Sequence, residues 1–367
     1  MVKEDAYVQA VWDKLHAMPE LGMEEVKTSA YLADELEKYG YKVIRNIGHT
    51  GVLGMLDSGK PGPGFGLRAD MDALPFEKDG KPYAFHACGH DAHSAMVMAA
   101  AKRLAETGIQ KGKLFILFQQ AEEVDGAAEM VQTGVLQKEG VEELVGVHLR
   151  PIHEAKLGQA TPALMHSAML DTTFEITGAT AHGARPHLGV NALDVAATAI
   201  MGINAIHEDP QSPYSIKATQ CQTVGNVVNS IPHQVILGVD IRATTNPVNR
   251  SLEEKLVKIV EQAAAMYGAT AKQTFRSPCY AAEYDDELVE LTRQAIVDVL
   301  GEALPPLPTN GAEDFHYWSV EAGIKTAYIG LGANLTPGLH DPEMTFDRKA
   351  LDNGVAVFER LAQLRLG

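Results

Sequence analysis

The residues best suited to chemistry crowd into His86-Ala87-Cys88-Gly89-His90-Asp91-Ala92-His93. A thiolate and imidazoles so close together suit a borderline-soft divalent ion such as zinc. A buried thiol beside helix-capping polar groups would leave the same pattern. A second signal is the apolar run Leu114–Phe118, which leads through Gln119-Gln120-Ala121 into Glu122-Glu123. Glutamates are rarely buried without a partner. Adjacent side chains point in different directions, so one can bind metal while its neighbour faces a water. Two solvated glutamates ahead of a helix over Ala127–Thr133 are the competing reading, because negative charge there favours the helix dipole. His148 follows the apolar strand Leu144–Val147, and His340 lies in Pro337-Gly338-Leu339-His340-Asp341-Pro342. A lone histidine at a strand end is more often structural than a ligand. All these candidates share one feature: each follows a strand, at the edge where open α/β sheets carry their sites.

The elements that must position them read as two kinds of rhythm. Over the first part, helices (4–16, 26–39, 91–106, 127–133) alternate with short apolar strands (41–45, 52–56, from 66, 114–118, 144–148), with a Gly/Pro-rich turn at 59–64. That alternation predicts an α/β fold: a mostly parallel sheet with helices on both faces. The middle reads strand 173–177, helix 191–206, strands 222–228 and 235–243, helix 252–267 and strand 270–275. This β-α-β-β-α-β order predicts an inserted α+β, ferredoxin-like domain. The outer pattern resumes with helix 286–300, strand 326–331 and helix 347–361. The expected division is 1–167 and 281–367 for the metal-binding catalytic domain and 168–280 for the insertion.

Composition narrows the function classes. The chain of 367 residues exceeds the size at which single cores stop growing, and 46% hydrophobic with 22% charged residues is an ordinary globular profile. Thirty-one basic against 48 acidic residues give a net charge of −17, which argues against a nucleic-acid surface. The apolar runs fall short of the ~20 residues a membrane span needs. No apolar signal core follows Met1-Val2-Lys3-Glu4-Asp5. Three widely spaced cysteines, Cys88, Cys221 and Cys279, predict no disulfide framework and a reducing compartment, with the cytoplasm as the expected location.

Ordered along the chain, Pro19-Glu20-Leu21 with Glu24-Glu25, Thr50-Gly51-Val52, Arg68-Ala69-Asp70-Met71-Asp72-Ala73-Leu74-Pro75, Cys88-Gly89-His90-Asp91, Ala121-Glu122-Glu123, Gly146-Val147-His148 and Glu313-Asp314-Phe315 form a specific set. With them the chain resembles, nearly end to end, the aminoacylase–carboxypeptidase family of dinuclear metallopeptidases. Within it, the likeness is to the bacterial amidohydrolase branch with hippurate hydrolases and indole-acetyl-amino-acid hydrolases. The resemblance implies two divalent ions (zinc, manganese or cobalt) held by Cys88, His90, Glu123, His148 and His340, with Glu122 as general base. Where the wider family has a metal-binding His, this chain has Asp70, and Cys88 supplies the missing ligand. Asp72 and Asp91 are expected to orient ligands. Phe85 stands where this branch usually has Met, and Gln120 where it usually has Pro. The segment Gly225-Asn226-Val227-Val228-Asn229-Ser230-Ile231-Pro232 only approximates the family's Asn-Val-Ile-Pro.

Amide hydrolysis at neutral pH needs an activated water, a polarised carbonyl and a proton for the leaving amine. A serine nucleophile is disfavoured, because no Gly-x-Ser-x-Gly motif occurs. In the inserted domain the resemblance gives His182 the role of oxyanion donor, from its own or a partner subunit. It gives Asn229 and Arg242 substrate polar groups, Arg242 as a carboxylate clamp. Loop capping for His182 and a surface ion pair for Arg242 are the plainer readings. The expected function is a metal-dependent amidohydrolase acting on N-acyl-L-amino acids, with the insertion serving as lid and homodimer contact. A dipeptidase or carboxypeptidase on the same metals is the alternative. A non-catalytic metal- or peptide-binding protein would have no use for Glu122.

Overall fold

The computed structural model describes residues 4–225, 227–309 and 311–367. Asn226, in the segment that approximates the family's Asn-Val-Ile-Pro, and Met1-Val2-Lys3 lie outside them. Two compact units are present. One runs up to Met165 and resumes over Glu283–Thr309 and Glu313–Gly367; the other spans His166–Ala282.

The first unit opens with α1 (Ala6–His16) and α2 (Val26–Lys38), followed by strands β1 (Lys42–Ile47), β2 (Gly51–Asp57) and β3 (Gly64–Asp70). A hairpin, β4 (Leu74–Lys78) and β5 (Lys81–Phe85), precedes α3 (His90–Thr107), β6 (Lys113–Gln119), α4 (Gly126–Gln132), α5 (Val135–Glu139), β7 (Glu143–Pro151), β8 (Ala160–Thr161) and β9 (Leu164–His166). The second unit carries β10 (Ala168–Thr177), β11 (Ala181–His182), α6 (Ala192–Asn204), β12 (Tyr214–Thr223), β13 (Ser230–Ile231), β14 (Gln234–Ala243), α7 (Asn246–Met266) and β15 (Thr270–Cys279). The first unit then closes with α8 (Asp286–Leu300), β16 (Leu307–Thr309), α9 (Tyr317–Val320), β17 (Lys325–Leu335) and α10 (Lys349–Leu366).

Seven strands form the first unit's sheet, in the order β1-β2-β6-β3-β7-β17-β8. Its centre, β6-β3-β7-β17, is parallel, while β1, β2 and β8 join antiparallel at the margins. Strands buried on both faces need continuous apolar runs. Accordingly Leu114, Ile116 and Phe118 of β6 face the core of α1, α3 and α10, while Phe115 and Leu117 are buried on the other face. There Gly146 of β7 leaves room for Tyr328, whose ring carbon a Cβ would meet at 2.4 Å.

The sequence reading misplaced several pieces. Leu74–Lys78 and Lys81–Phe85, given no element from the sequence, form a hairpin that Pro75 and Pro82 mask and that turns at Asp79 and Gly80, both with positive φ. His148 lies within β7 rather than at its end, because Leu149–Pro151 keep pairing with β17. The strand expected at 222–228 is β12, over Tyr214–Thr223. Val224, Val227 and Val228 lie beyond it and are exposed, so their apolar letters misled the assignment.

The second unit has one four-stranded antiparallel sheet, in the order β12-β14-β10-β15. It packs with α6 and α7 around Leu170, Phe174, Val195, Leu237, Leu252 and Val260. Among the described residues no helix is long and apolar enough to cross a membrane.

Candidate metal and catalytic site

The site grows from the turn after β5. Gly89 adopts a left-handed φ of 85° and caps α3, so Cys88 and His90 stand at the start of that helix. His90 donates from Nδ1 to Asp72 Oδ1 at 2.9 Å, which leaves its Nε2 bare. That atom is buried and has no hydrogen-bond partner. His148 gives its Nδ1 proton to the Leu149 carbonyl at 2.7 Å, so its Nε2 lone pair faces Cys88 Sγ at 3.3 Å. On the other side of the sulfur lies His340 Nε2, at 3.3 Å from Sγ and 3.2 Å from Glu123 Oε1. His340 has a positive φ of 63°, and its N–H is held by the Ala87 carbonyl at 2.9 Å. Glu123 Oε1 is likewise buried, with His340 Nε2 as its neighbour.

These atoms form two overlapping groups that share Cys88. One comprises Cys88, His90 and His148; the other Cys88, Glu123 and His340. Within each, the ligand atoms lie within 4.8 Å of one another. Glu122 joins from the side, its Oε2 at 3.7 Å from His90 Nε2. The donor set fits divalent cations. It offers one sulfur, three imidazole nitrogens with the opposite nitrogen engaged on His90 and His148, and a carboxylate oxygen. The buried His90 Nε2 also has no hydrogen-bond partner to satisfy it.

The electrostatics agree. Hydrogen bonds to the Cys88 sulfur and the Glu123 carboxylate lift His340 to about 10. A field that holds a proton so tightly is one that attracts a cation. Burial, with the neighbouring His93 and Arg150, drives His148 well below the ordinary imidazole range, which keeps it neutral and able to ligate. For Glu122, burial and the charges of Glu313, Asp314 and Glu123 push the carboxyl well above its usual range.

Not every expected residue gathers here. Asp72 does, bridging His90 and the Glu123 N–H, which it accepts at 3.0 Å. Asp91 does not orient a ligand. Its carboxylate is taken by His16 Nδ1 at 2.7 Å, because the first turn of α3 directs it towards α1. His182, Asn229 and Arg242 belong to the second unit, and all three are exposed. His182 accepts the Ala184 N–H on Nδ1 at 3.1 Å, and the Gly183 N–H bonds the Asn229 carbonyl at 2.7 Å. Arg242 Nε is paired with Asp240 of the same strand at 2.9 Å.

Sequence reasoning gave no role to His93 or Arg68. His93 donates to Asp70 Oδ1 at 2.7 Å and accepts the Leu149 N–H at 3.0 Å, so it props the strand beside His148. Arg68 is fully buried and donates to Gln119, Asp70, Tyr328, Glu313 and Asp314 at 2.6–3.3 Å. Burial opposes its charge, but these acids hold Arg68 protonated. A charged residue inside an apolar strand was the available signal.

Residues 66–364 match the Peptidase family M20/M25/M40. The chain belongs to that family. It is 31% identical over 352 residues to the N-acetyl-L-cysteine deacetylase of Bacillus subtilis, covering 92% of this chain and 83% of that one. It is 29% identical over 363 residues to the hippurate hydrolase of Campylobacter jejuni, covering 95% and 94%. A dinuclear metal-binding peptidase of Bacillus subtilis superposes with a TM-score of 0.80 at 25% identity, covering 98% of this chain and 97% of its own.

Proposed function

We propose that this family member is a metal-dependent amidohydrolase that cleaves the amide bond of N-acyl-L-amino acids. The observation that carries the reading is the pair of ligand groups sharing Cys88, with Glu122 poised beside them. Cys88, His90, Glu123, His148 and His340 hold two divalent ions, zinc or manganese, with cobalt as a substitute. When bound, the ions supply positive charge that acidifies a water and polarises the scissile carbonyl. Glu122 takes the proton from that water and delivers it to the departing amine. Its burial and acidic surroundings raise the carboxylate's affinity for a proton, which suits the uptake step. Asp72 fixes the His90 ring through Nδ1 and the Glu123 backbone through its N–H, so one carboxylate aligns two ligands.

Segment 168–280 is assigned as lid and homodimer contact. The exposed apolar residues Leu193 and Met201 on α6, next to the edge strand β12, support a self-complementary surface. His182 serves as oxyanion donor. With Nδ1 occupied by the Ala184 N–H, its neutral ring carries the proton on Nε2, where it can be given to substrate. Asn229 and Arg242 bind the polar groups of the amino-acid half. The cytoplasm is the assigned location.

Turnover of N-acetyl-methionine and hippurate, measured before and after chelation and on adding back each metal, tests the reading. Activity should vanish with the metal and return with it. Full activity in the stripped protein would refute it. A parallel panel of dipeptides separates acylase from dipeptidase action.

A further inference from the structure

The turn that presents Glu122 runs from the end of β6 to the start of α4. Two non-glycine residues in it, Ala121 and Asp125, adopt left-handed φ values of 51° and 61°. Such conformations persist only where the surroundings over-determine them. The turn folds back on itself: Val124 and Gly126 both donate to the Ala121 carbonyl, at 3.1 and 2.8 Å. A Cβ on Gly126 would come within 2.4 Å of the Gln120 carbonyl oxygen. The Ala121 N–H is left pointing away from the turn, and a buried carboxylate receives it: Glu25 Oε1 accepts at 2.6 Å.

Glu25 is wholly buried, and it stands just ahead of α2, where the Ser29 N–H fixes its backbone at 2.9 Å. Its other oxygen accepts the Thr50 hydroxyl at 2.8 Å. The same loop closes over the neighbouring side chain, because Gln120 Oε1 accepts the His49 and Thr50 N–H groups at 2.7 and 2.8 Å. Residues 25, 49 and 50 thus form a seat for residues 120 and 121. An apolar side chain at position 25 would pack without the desolvation that a carboxylate suffers. What the carboxylate adds is a fixed direction for the peptide that leads into Glu122.

We infer that Glu25 is a positioning residue for Glu122, acting by holding the Ala121 N–H, and so the orientation of the general base. The inference rests on the amidohydrolase reading. Glu25 touches neither substrate nor ligands. Its effect falls on the rate of the chemical step, since displacing a reacting group by about 1 Å costs on the order of 10²-fold.

The test uses the metal-loaded full chain with N-acetyl-methionine or hippurate, whichever the wild type turns over faster. kcat, KM, metal content and Tm are measured for Glu25→Ala, Glu25→Gln and Thr50→Val. Glu25→Ala should lower kcat by about 10²-fold, with KM and both metals retained. Glu25→Gln should keep most of the activity, because its amide oxygen still accepts from Ala121 while its NH2 donates to the Thr50 hydroxyl. Thr50→Val, which only frees the Glu25 carboxylate, should lose several-fold in kcat. A purely structural Glu25 would lower Tm and leave kcat per folded molecule unchanged, and that result overturns the inference. Activity lost in step with metal also overturns it. If Glu25→Ala does not fold, wild-type kcat in Thr50→Val is decisive against it. Glu122→Gln serves as control: if it is fully active, the base assignment falls and this inference with it; if it is inactive while Glu25→Ala is unaltered, the inference alone falls.

Discussion

Glu122 and Glu123 are neighbours in the chain yet meet different surroundings. Glu123 Oε1 lies 3.2 Å from His340 Nε2, whereas Glu122 faces His90 Nε2 and, behind it, the acidic pair Glu313 and Asp314. Their amide variants should therefore separate two roles. Glu122→Gln should retain both metals while losing roughly 10²–10⁴-fold in kcat, the usual worth of a general base. Glu123→Gln should lose metal first and activity as a consequence. Metal analysis alongside kcat reads the difference, and an equal fall in metal content for the two variants would defeat the assignment. At this scale the residue types of Cys88, His90, Glu123, His148 and His340 marked them as candidates, and the fold brings their ligand atoms into two adjoining groups. The sequence was mute on the Asp91–His16 pair, because nothing in residues 86–93 indicates which way the first turn of α3 will face.

The elements are tied to the site through Arg68. This one side chain on β3 links the end of β6 through Gln119, β17 through Tyr328, and the segment before α9 through Glu313 and Asp314. Asp314 in turn accepts the first N–H groups around the Glu122 turn, from Gln119 Nε2 at 2.6 Å and Ala127 N at 2.8 Å. Arg68→Met would strand three buried carboxylates, and breaking such a group usually costs about 3–5 kcal/mol. Denaturant midpoints should fall accordingly. Unchanged stability would mean that the acids are neutral without their cation. The parallel centre of the sheet and most helices were legible from periodicity, since β6 and β7 are apolar on both faces. The hairpin β4–β5 was not, because prolines in both strands erase the pattern that pairing with each other restores. Gln120 read as a departure from the family's usual residue. Only the fold shows its side-chain oxygen Oε1 accepting from backbone donors of the loop at 49–50.

At the scale of the molecule, the residues proposed to complete the chemistry sit in a second compact unit with its own core. If that unit joins two subunits and lends His182 to the partner's substrate, His182→Ala should lose at least about 10²-fold in kcat while keeping both metals. Mixed dimers of Glu122→Gln and His182→Ala subunits should then recover activity that neither parent has, since one site holds both intact residues. Verified heterodimers without recovery would exclude action across subunits. A monomer with full activity would exclude the dimer.

The place of β17 in the sheet has a consequence for how the protein is made. Lys325 of this strand pairs with Glu143 of β7, and the whole of His166–Ala282 is translated between them. A nascent chain therefore has nearly all of the second unit while the first still lacks a central strand and the His340 loop that follows it. Until that strand docks, the apolar edge of β7 is open to solvent and to other chains. With His340 as a proposed ligand, metal loading would be a late event, and a ribosome stalled before β17 would expose a half-built sheet that chaperones have reason to recognise.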